Sequence, residues 1–434
     1  MEGTNSFSPA EKLKGMLRLM MQRLWITFEL FQKNGLMNHA AAGAYGFLLS
    51  AAPVLLIISF FVSRILVNSP ELAEDMFQRI GLLSGIVNAS DLISDFVSSA
   101  KPGLAGIISV IPLFWTARLC AQSIQRGLGI ILPASRSSPI RATIITLGLG
   151  IIIIIFLFIM LLGITLSRYL LNVPVLAVID SLSPFVRSLS VRAATIVCFA
   201  VMILVSYRIV PVDTPKWKYI FFGALTCIVL HQLFSAGFSL IINPGKYNRL
   251  YGVLGSLFLL LINVYFFFAF FLFGAQMIMV QSFSDALLFI RFRKLKLKGT
   301  KPLLPMDKLF VSLPSPLVRY SKIFKQGELI FMQGSQCQEV YYILSGNAGV
   351  YLDNKYANRI AVIDENHFFG ELEYLSSEGR EGRSASIKAE TELSVLVLPR
   401  ELFRGILRAD PDTDHNIITD LSERLRSTNK KVSS

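Results

Sequence analysis

Six stretches of predominantly apolar residues fall before about residue 284, and they restrict the possible folds of this 434-residue chain more than any other feature. A bilayer core about 30 Å thick is crossed by about 20 apolar residues in a helix. The stretches lie near 40–65, 103–123, 140–166, 190–210, 218–242 and 254–281. The isoleucines at 151–155 and the phenylalanines at 266–268 make the third and sixth the clearest, whereas Pro112, Arg118 and Gln122 interrupt the second. Residues 70–100 differ, with Glu71, Glu74, Asp75, Asp91 and Asp95 set among spaced apolar residues, a pattern that predicts amphipathic helices outside the hydrocarbon. With 53% hydrophobic and 16% charged residues, the chain is far more apolar than a soluble domain, which carries about 25% charge.

The net charge of +13 raises nucleic acid as a partner, but the position of the charge argues for a membrane instead. Lys12, Lys14, Arg18, Arg23 and Lys33 precede the first stretch; Arg126, Arg136 and Arg141 follow the second; Arg208, Lys216 and Lys218 follow the fourth; Arg291, Arg293, Lys294, Lys296, Lys298 and Lys301 follow the sixth. Short cytoplasmic loops carry such excesses, so both termini are expected in the cytoplasm, with membrane lipid and no nucleic acid as partner. Cys120, Cys198, Cys227 and Cys337 show no paired spacing for a disulfide or zinc site. His39, His231, His367 and His415 are equally scattered, so no metal, no catalytic residues and no enzyme are expected. Residues 1–15 lack an apolar core with a small-residue cleavage site, and the first apolar helix is expected to serve as its own insertion signal.

Polar residues at membrane depth are either functional or bind helices together. Arg118, Gln122, His231, Gln232, Asn263 and Gln276 are of this kind. Asn243-Pro244-Gly245 predicts a turn, and residues 247–255 then mix aromatic and small residues, Tyr251 among them. Such a segment either re-enters a bundle or forms an interfacial tyrosine belt.

Three passages resemble the YihY/BrkB family of membrane proteins, historically mislabelled as ribonuclease BN. They are Ala40-Ala41-Ala42-Gly43-Ala44-Tyr45 with Ser50-Ala51-Ala52-Pro53; Trp115-Thr116-Ala117-Arg118 with Gln125-Arg126-Gly127-Leu128; and Tyr247 through Gly255 with Phe273-Gly274-Ala275-Gln276. The resemblance covers about residues 20–285 and implies a multi-pass inner-membrane protein of six helices, with transport or envelope maintenance as its role. Gln276 stands where the family has Glu, and Gly46 where a second aromatic is common, so a proton-coupled role for that carboxylate does not carry over.

Residues 289–305 alternate basic residues with Phe292, Leu295 and Leu297, a pattern suited to anionic headgroups or to a cytoplasmic anchor, and Pro302 and Pro305 then break any helix. From Leu309 the pattern changes to short β-prone runs with glycines at their corners: 328–331 before Gly334, 340–344 before Gly346, 349–352, and a closing strand at 393–398. Helical periodicity returns after Pro399 and again at 417–431.

This pattern resembles the cyclic nucleotide-binding domain of the catabolite activator protein and the cyclic nucleotide-gated channels. The motifs are Gly327-Glu328-Leu329-Ile330-Phe331, Tyr342-Ile343-Leu344-Ser345-Gly346 and, above all, Phe369-Gly370-Glu371-Leu372 followed by Arg383-Ser384-Ala385-Ser386. A buried cyclic phosphate needs backbone donors and a guanidinium. The resemblance implies that Gly370, Glu371 and Leu372 supply donors and hold the ribose, that Arg383 with Ser384 and Ala385 takes the phosphate, and that Thr428 and Asn429 cap the base. No cofactor is expected beyond a regulatory cAMP or cGMP, and Ser384-Ala385 favours cAMP. Residues 376–382 make the cassette loop two or three residues longer than usual, bringing Arg380 into competition with Arg383, and Glu373 stands where a small residue is usual.

The expectation is a membrane all-α six-helix bundle at 1–285, a basic linker at 286–306 and a soluble cytoplasmic β-roll of the cyclic nucleotide-binding type at 307–434. A transporter or permeation module controlled by nucleotide is the favoured function. A non-transporting envelope-integrity scaffold is the alternative, and homo-oligomers would form through the C-terminal helix. No Gly-Tyr-Gly pore loop supports an ion channel.

Overall fold

The computed structural model describes residues 9–65, 76, 104–131, 139–171, 184–209, 215–241, 253–298, 305–352, 359–372, 382–409 and 419. They fall into two compact units, one spanning Thr27–Ser282 and the other joining Met1–Ile26 to Phe283–Ser434. The amphipathic segment expected at 70–100 lies, apart from Met76, outside the described residues.

Helix α1 spans Pro9–Lys33, and it is followed by α2 (Leu36–Ile65), α3 (Leu104–Ile131), α4 (Pro139–Leu171), α5 (Pro184–Ile209), α6 (Trp217–Ile241) and α7 (Val253–Ser282). Among the described residues three helices are long and apolar enough to cross a membrane, Leu36–Val62, Trp217–Ile241 and Leu257–Ser282; Thr143–Ile159 and Ile196–Ile209 are shorter apolar helices.

Small residues set how closely these helices pack. In lipid, helix association depends on close backbone approach, because apolar side chains gain nothing over lipid tails. The Ala-Gly start of α2 provides this: Ala40 and Ala44 are buried, and a β-carbon on Gly43 would lie 2.7 Å from the Phe268 ring on α7. Gly46 faces Ser123 on α3, and Gly127 faces Leu272 on α7. The closest approach is between α6 and α7, where a β-carbon on Gly223 would lie 2.7 Å from the Gly274 carbonyl oxygen and one on Gly274 2.6 Å from that of Gly223. Beside it the buried Tyr207 hydroxyl donates to the Phe271 carbonyl oxygen at 2.6 Å.

The second unit begins with α8 (Ser284–Lys298), separated from α7 by Phe283 alone. A 3₁₀ turn (Asp307–Phe310) and the single-turn α9 (Ser315–Val318) lead into β1 (Ser321–Phe324), β2 (Leu329–Phe331), β3 (Val340–Ser345), β4 (Ala348–Tyr351), β5 (Arg359–Ile363), β6 (Phe368–Phe369), β7 (Ser386–Ala389), β8 (Leu393–Leu398) and α10 (Arg400–Ala409). The strands make two four-stranded antiparallel sheets, ordered β1-β8-β3-β6 and β2-β7-β4-β5. Between them Phe324, Tyr341, Ile343, Ile363, Phe369, Ile387, Leu393 and Val395 form the core.

Strand β3 is buried at four successive residues, Val340 to Ile343, which explains why its sequence is apolar without alternation. Tyr341 and Ile343 enter the core, whereas Tyr342 meets Phe289 of α8 edge-on at 5.0 Å. Phe289 also lies 5.9 Å from Phe368, which in turn meets Phe403 of α10 at 5.8 Å. Polar contacts hold the rest of α8 to the unit. Arg291 pairs with the buried Asp307 at 2.7 Å, Arg319 and the Tyr320 hydroxyl reach Asp285, and Lys296 donates to the Leu344 carbonyl oxygen. Arg293 is buried with its guanidinium 5.1 Å from the Phe368 ring. Three cations of the basic stretch, Arg291, Arg293 and Lys296, are therefore engaged by protein groups.

Burial pushes the Tyr342 phenol up to about 12, with Glu365 also raising it and Arg293 opposing. The folded state thus keeps a proton that the unfolded chain releases near pH 10, and the associated stability is complete below pH 10 and lost as pH rises towards 12. Urea unfolding at pH 9 and pH 12 is expected to show a loss attributable to this group of about 2–3 kcal/mol, absent from Tyr342→Phe.

Candidate functional site

Two short segments create the site. Strand β6 ends at Phe369 and is followed by Gly370, whose φ of +76° is the left-handed conformation that glycine adopts without strain. This turns the chain so that the Gly370 carbonyl oxygen accepts a 2.7 Å hydrogen bond from Nη1 of Arg383. A β-carbon at position 370 would lie 2.5 Å from the same Nη1, so glycine is required both for the turn and for the approach of the arginine. Glu371 follows with 3% exposure, and Leu372 is exposed.

Arg383 comes from the other side. Its backbone pairs with the 334–335 segment: its N–H donates to the Ser335 carbonyl oxygen at 3.0 Å and its own carbonyl oxygen accepts from Gly334 at 2.7 Å. The guanidinium, 1% exposed, donates through Nη2 to the Glu339 carbonyl oxygen at 2.6 Å and lies 4.2 Å from the centre of the Phe331 ring. Beneath it Tyr341 and Phe369 stack at 4.9 Å, nearly parallel, and the Tyr341 hydroxyl donates to Oε2 of Glu339 at 3.2 Å. Burial, with Cys337 and Glu339 nearby, raises the Tyr341 phenol well above its ordinary range. A cation held in place by carbonyl oxygens and ring faces is suited to an anion.

The structure thus brings Gly370, Glu371 and Arg383 together in the buried part of the roll. Ser384 is exposed, Ala385 half-buried and Ser386 fully buried, its hydroxyl accepting from the Gln333 N–H at 2.9 Å. Of the supporting residues, Phe331 and Ser386 stand inside the quoted motifs and Tyr341 inside the 340–344 run, none with a role assigned from the sequence, and Glu339 was not singled out at all. Thr428, Asn429, Glu373 and Arg380 lie outside the described residues.

Gly382 fixes the approach of Arg383, because a β-carbon there would lie 2.3 Å from the Gly334 carbonyl oxygen. Gly382→Ala is expected to cost about 1–3 kcal/mol by overpacking backbone against backbone. Nucleotide affinity should fall with it, as read by thermal melting and titration of the same sample.

The membrane residues are dispersed. Arg118 is half-buried with its guanidinium 3.6 Å from the ring of the exposed Trp115. His231 sits between Phe199 and Phe267, each 5.8 Å away. Gln276 is fully buried, accepts from Nδ2 of Asn34 at 3.4 Å and reaches the Met279 sulfur at 3.8 Å; Asn263 is half-buried. Tyr251 lies outside the described residues, and among those residues no group of metal-ligating side chains comes together.

An apolar helical unit followed by a two-sheet roll with a buried arginine defines a membrane protein carrying a cyclic nucleotide-binding domain. The model of the family described as Virulence factor BrkB matches residues 27–286, and that of the cyclic nucleotide-binding domain matches residues 321–410. The chain belongs to the BrkB family. Over its C-terminal part it is 26% identical across 106 residues to the cAMP-activated global transcriptional regulator Vfr of Pseudomonas aeruginosa, covering 24% of this chain and 50% of that protein. It is 31% identical across 113 residues to the Cyclic AMP receptor protein of Thermus thermophilus, covering 26% and 51%. The chain therefore spans about half the length of these relatives. Among solved structures, the Catabolite Activator Protein of Thermus thermophilus shares 27% identity, over 29% of this chain and 61% of that one, with a TM-score of 0.23.

Proposed function

We propose that this chain is a cytoplasmic-membrane protein whose helical unit, a transport or permeation module of six spans, is set by a cyclic nucleotide, cAMP in preference to cGMP. The chain is not itself an enzyme. The Glu371 side chain holds the ribose, the main chain of Gly370, Glu371 and Leu372 supplies donors to the phosphate, Arg383 neutralises it with Ser384 in contact, and Thr428 and Asn429 close over the base.

One observation carries this reading. Adjacent residues of β6 face opposite ways: Phe369 packs on Tyr341 beneath Arg383, and Phe368 packs on Phe289 and Arg293 of α8. A phosphate oxygen is a stronger acceptor than a main-chain carbonyl. Its arrival draws the guanidinium from Gly370 or Glu339 and shifts the short strand that also supports α8, the helix that follows α7 after one residue. A ligand moves such an equilibrium only by its difference in affinity for the two positions; turning 1:99 into 99:1 takes about 5.5 kcal/mol.

The test is solute flux through proteoliposomes holding the full chain, screened with and without cAMP. A flux that changes with cAMP, and ceases to respond in Arg383→Leu, is expected. Absence of flux in both conditions would assign the helical unit to a non-transporting scaffold.

A further inference from the structure

Helix α1 presents itself the wrong way round for a soluble protein. Its polar side chains bind protein: Arg18 donates through Nε and Nη2, and Gln22 through Nε2, to the Leu309 carbonyl oxygen at 3.2, 2.8 and 2.7 Å, while Nη2 of Arg23 reaches the Ser284 hydroxyl at 3.3 Å. Its apolar side chains face outward. Leu13, Met16, Leu17, Met20, Met21 and Leu24 recur at i, i+3, i+4, i+7, i+8 and i+11, and they are between 37% (Leu24) and 63% (Met16) exposed. A continuous apolar stripe of this kind on a helix whose polar face is already docked needs an apolar environment.

We propose that this stripe lies in the lipid surface of the membrane, as an interfacial helix parallel to it. Three observations select lipid over a second protein surface. Apart from Arg18 and Arg23, which are bonded to protein, the helix carries Lys12, Lys14 and Lys33 against Glu11 and Glu29, a balance that still favours anionic headgroups. Lys14, adjacent to the stripe, is exposed and long enough to extend to the headgroups while its stem stays apolar. Only Asn34 and Gly35 separate α1 from α2, whose Leu36–Val62 part is long and apolar enough to enter the bilayer, so the chain at the end of α1 is already at the membrane. The same helix thus binds lipid on one face and, through Arg18 and Gln22, the segment leading into the roll on the other.

The proposal is tested by spin labels at Met20→Cys and, as a reference, Ile323→Cys, an exposed position on β1, each in a full-length Cys198→Ala, Cys337→Ala background. The protein is reconstituted into vesicles of phosphatidylethanolamine and phosphatidylglycerol in equal parts, and thermal melting confirms that each variant folds. The Met20 label should collide more often with oxygen than with a nickel chelate, at a depth of about 5–10 Å, while the Ile323 label shows the reverse. Equal, chelate-dominated collision at both sites would overturn the proposal. So would dipolar broadening between Met20 labels of neighbouring copies, which would give the stripe to a second copy of this chain.

Discussion

Replacing Arg383 with leucine is expected to lower cyclic nucleotide affinity by about 30-fold or more, because truncating one partner of a buried charge pair costs about 2–5 kcal/mol. The same change has a structural cost. Both Nη groups donate to carbonyl oxygens, those of Gly370 and Glu339, in partly buried hydrogen bonds, and a hydrogen bond to a charged group contributes about 1.5–3 kcal/mol. Binding and stability must therefore be read on one sample, by titration and by thermal melting. Glu371→Gln separates the two effects: it keeps the volume of a buried side chain that makes no contact with phosphate in the proposed site, and it should weaken ribose recognition while leaving the phosphate contacts. A folded Arg383→Leu protein that bound nucleotide like the parent would remove Arg383 from the site.

Phe289→Ala should have the second large effect. Phe289 is fully buried on α8 between Tyr342 and Phe368, and deleting such a ring costs about 3–5 kcal/mol through lost transfer energy and the cavity left behind. The loss is expected in urea unfolding of the roll. The variant also probes coupling, since the phosphate contacts are not formed by α8. Phe289→Leu, which fills more of the cavity, should bind cAMP with nearly parental affinity but transmit less of the ligand response to flux. Parental stability in Phe289→Ala would show that α8 does not rest on the roll as described.

The parts of this architecture that were legible in the sequence are those specified by neighbours along the chain. Apolar runs of helical length marked the membrane unit, and α2, α6 and the 257–282 part of α7 fall on three of them. Strands β3 and β8 were legible because each buries four of its six residues; the closing strand at 393–398 is β8 itself. Strand β1 was missed because three of its four residues, Ser321, Lys322 and Ile323, are exposed, and β6 because it has only two residues. Gly370, Glu371 and Arg383 were recognisable as a cassette, yet the acceptor that holds Arg383 from the other side, Glu339, lies 44 positions earlier and has no local signature.

The basic stretch around α8 shows the same limit in reverse. Alternating Arg, Lys, Phe and Leu specify an amphipathic segment, but not which surface it meets. Asp307 for Arg291 and the Phe368 ring for Arg293 are supplied only once the roll has folded. The contact of Arg18 with Leu309 spans 291 positions and is likewise set by tertiary structure alone.

The central claim is that a cyclic nucleotide binds where Gly370, Glu371 and Arg383 converge. Isothermal titration of the full-length protein in detergent, with cAMP and cGMP, tests it most directly. Saturable heat with cAMP, weaker binding of cGMP and loss of the signal in Arg383→Leu are predicted; no heat with either nucleotide from a folded parent protein would contradict the claim.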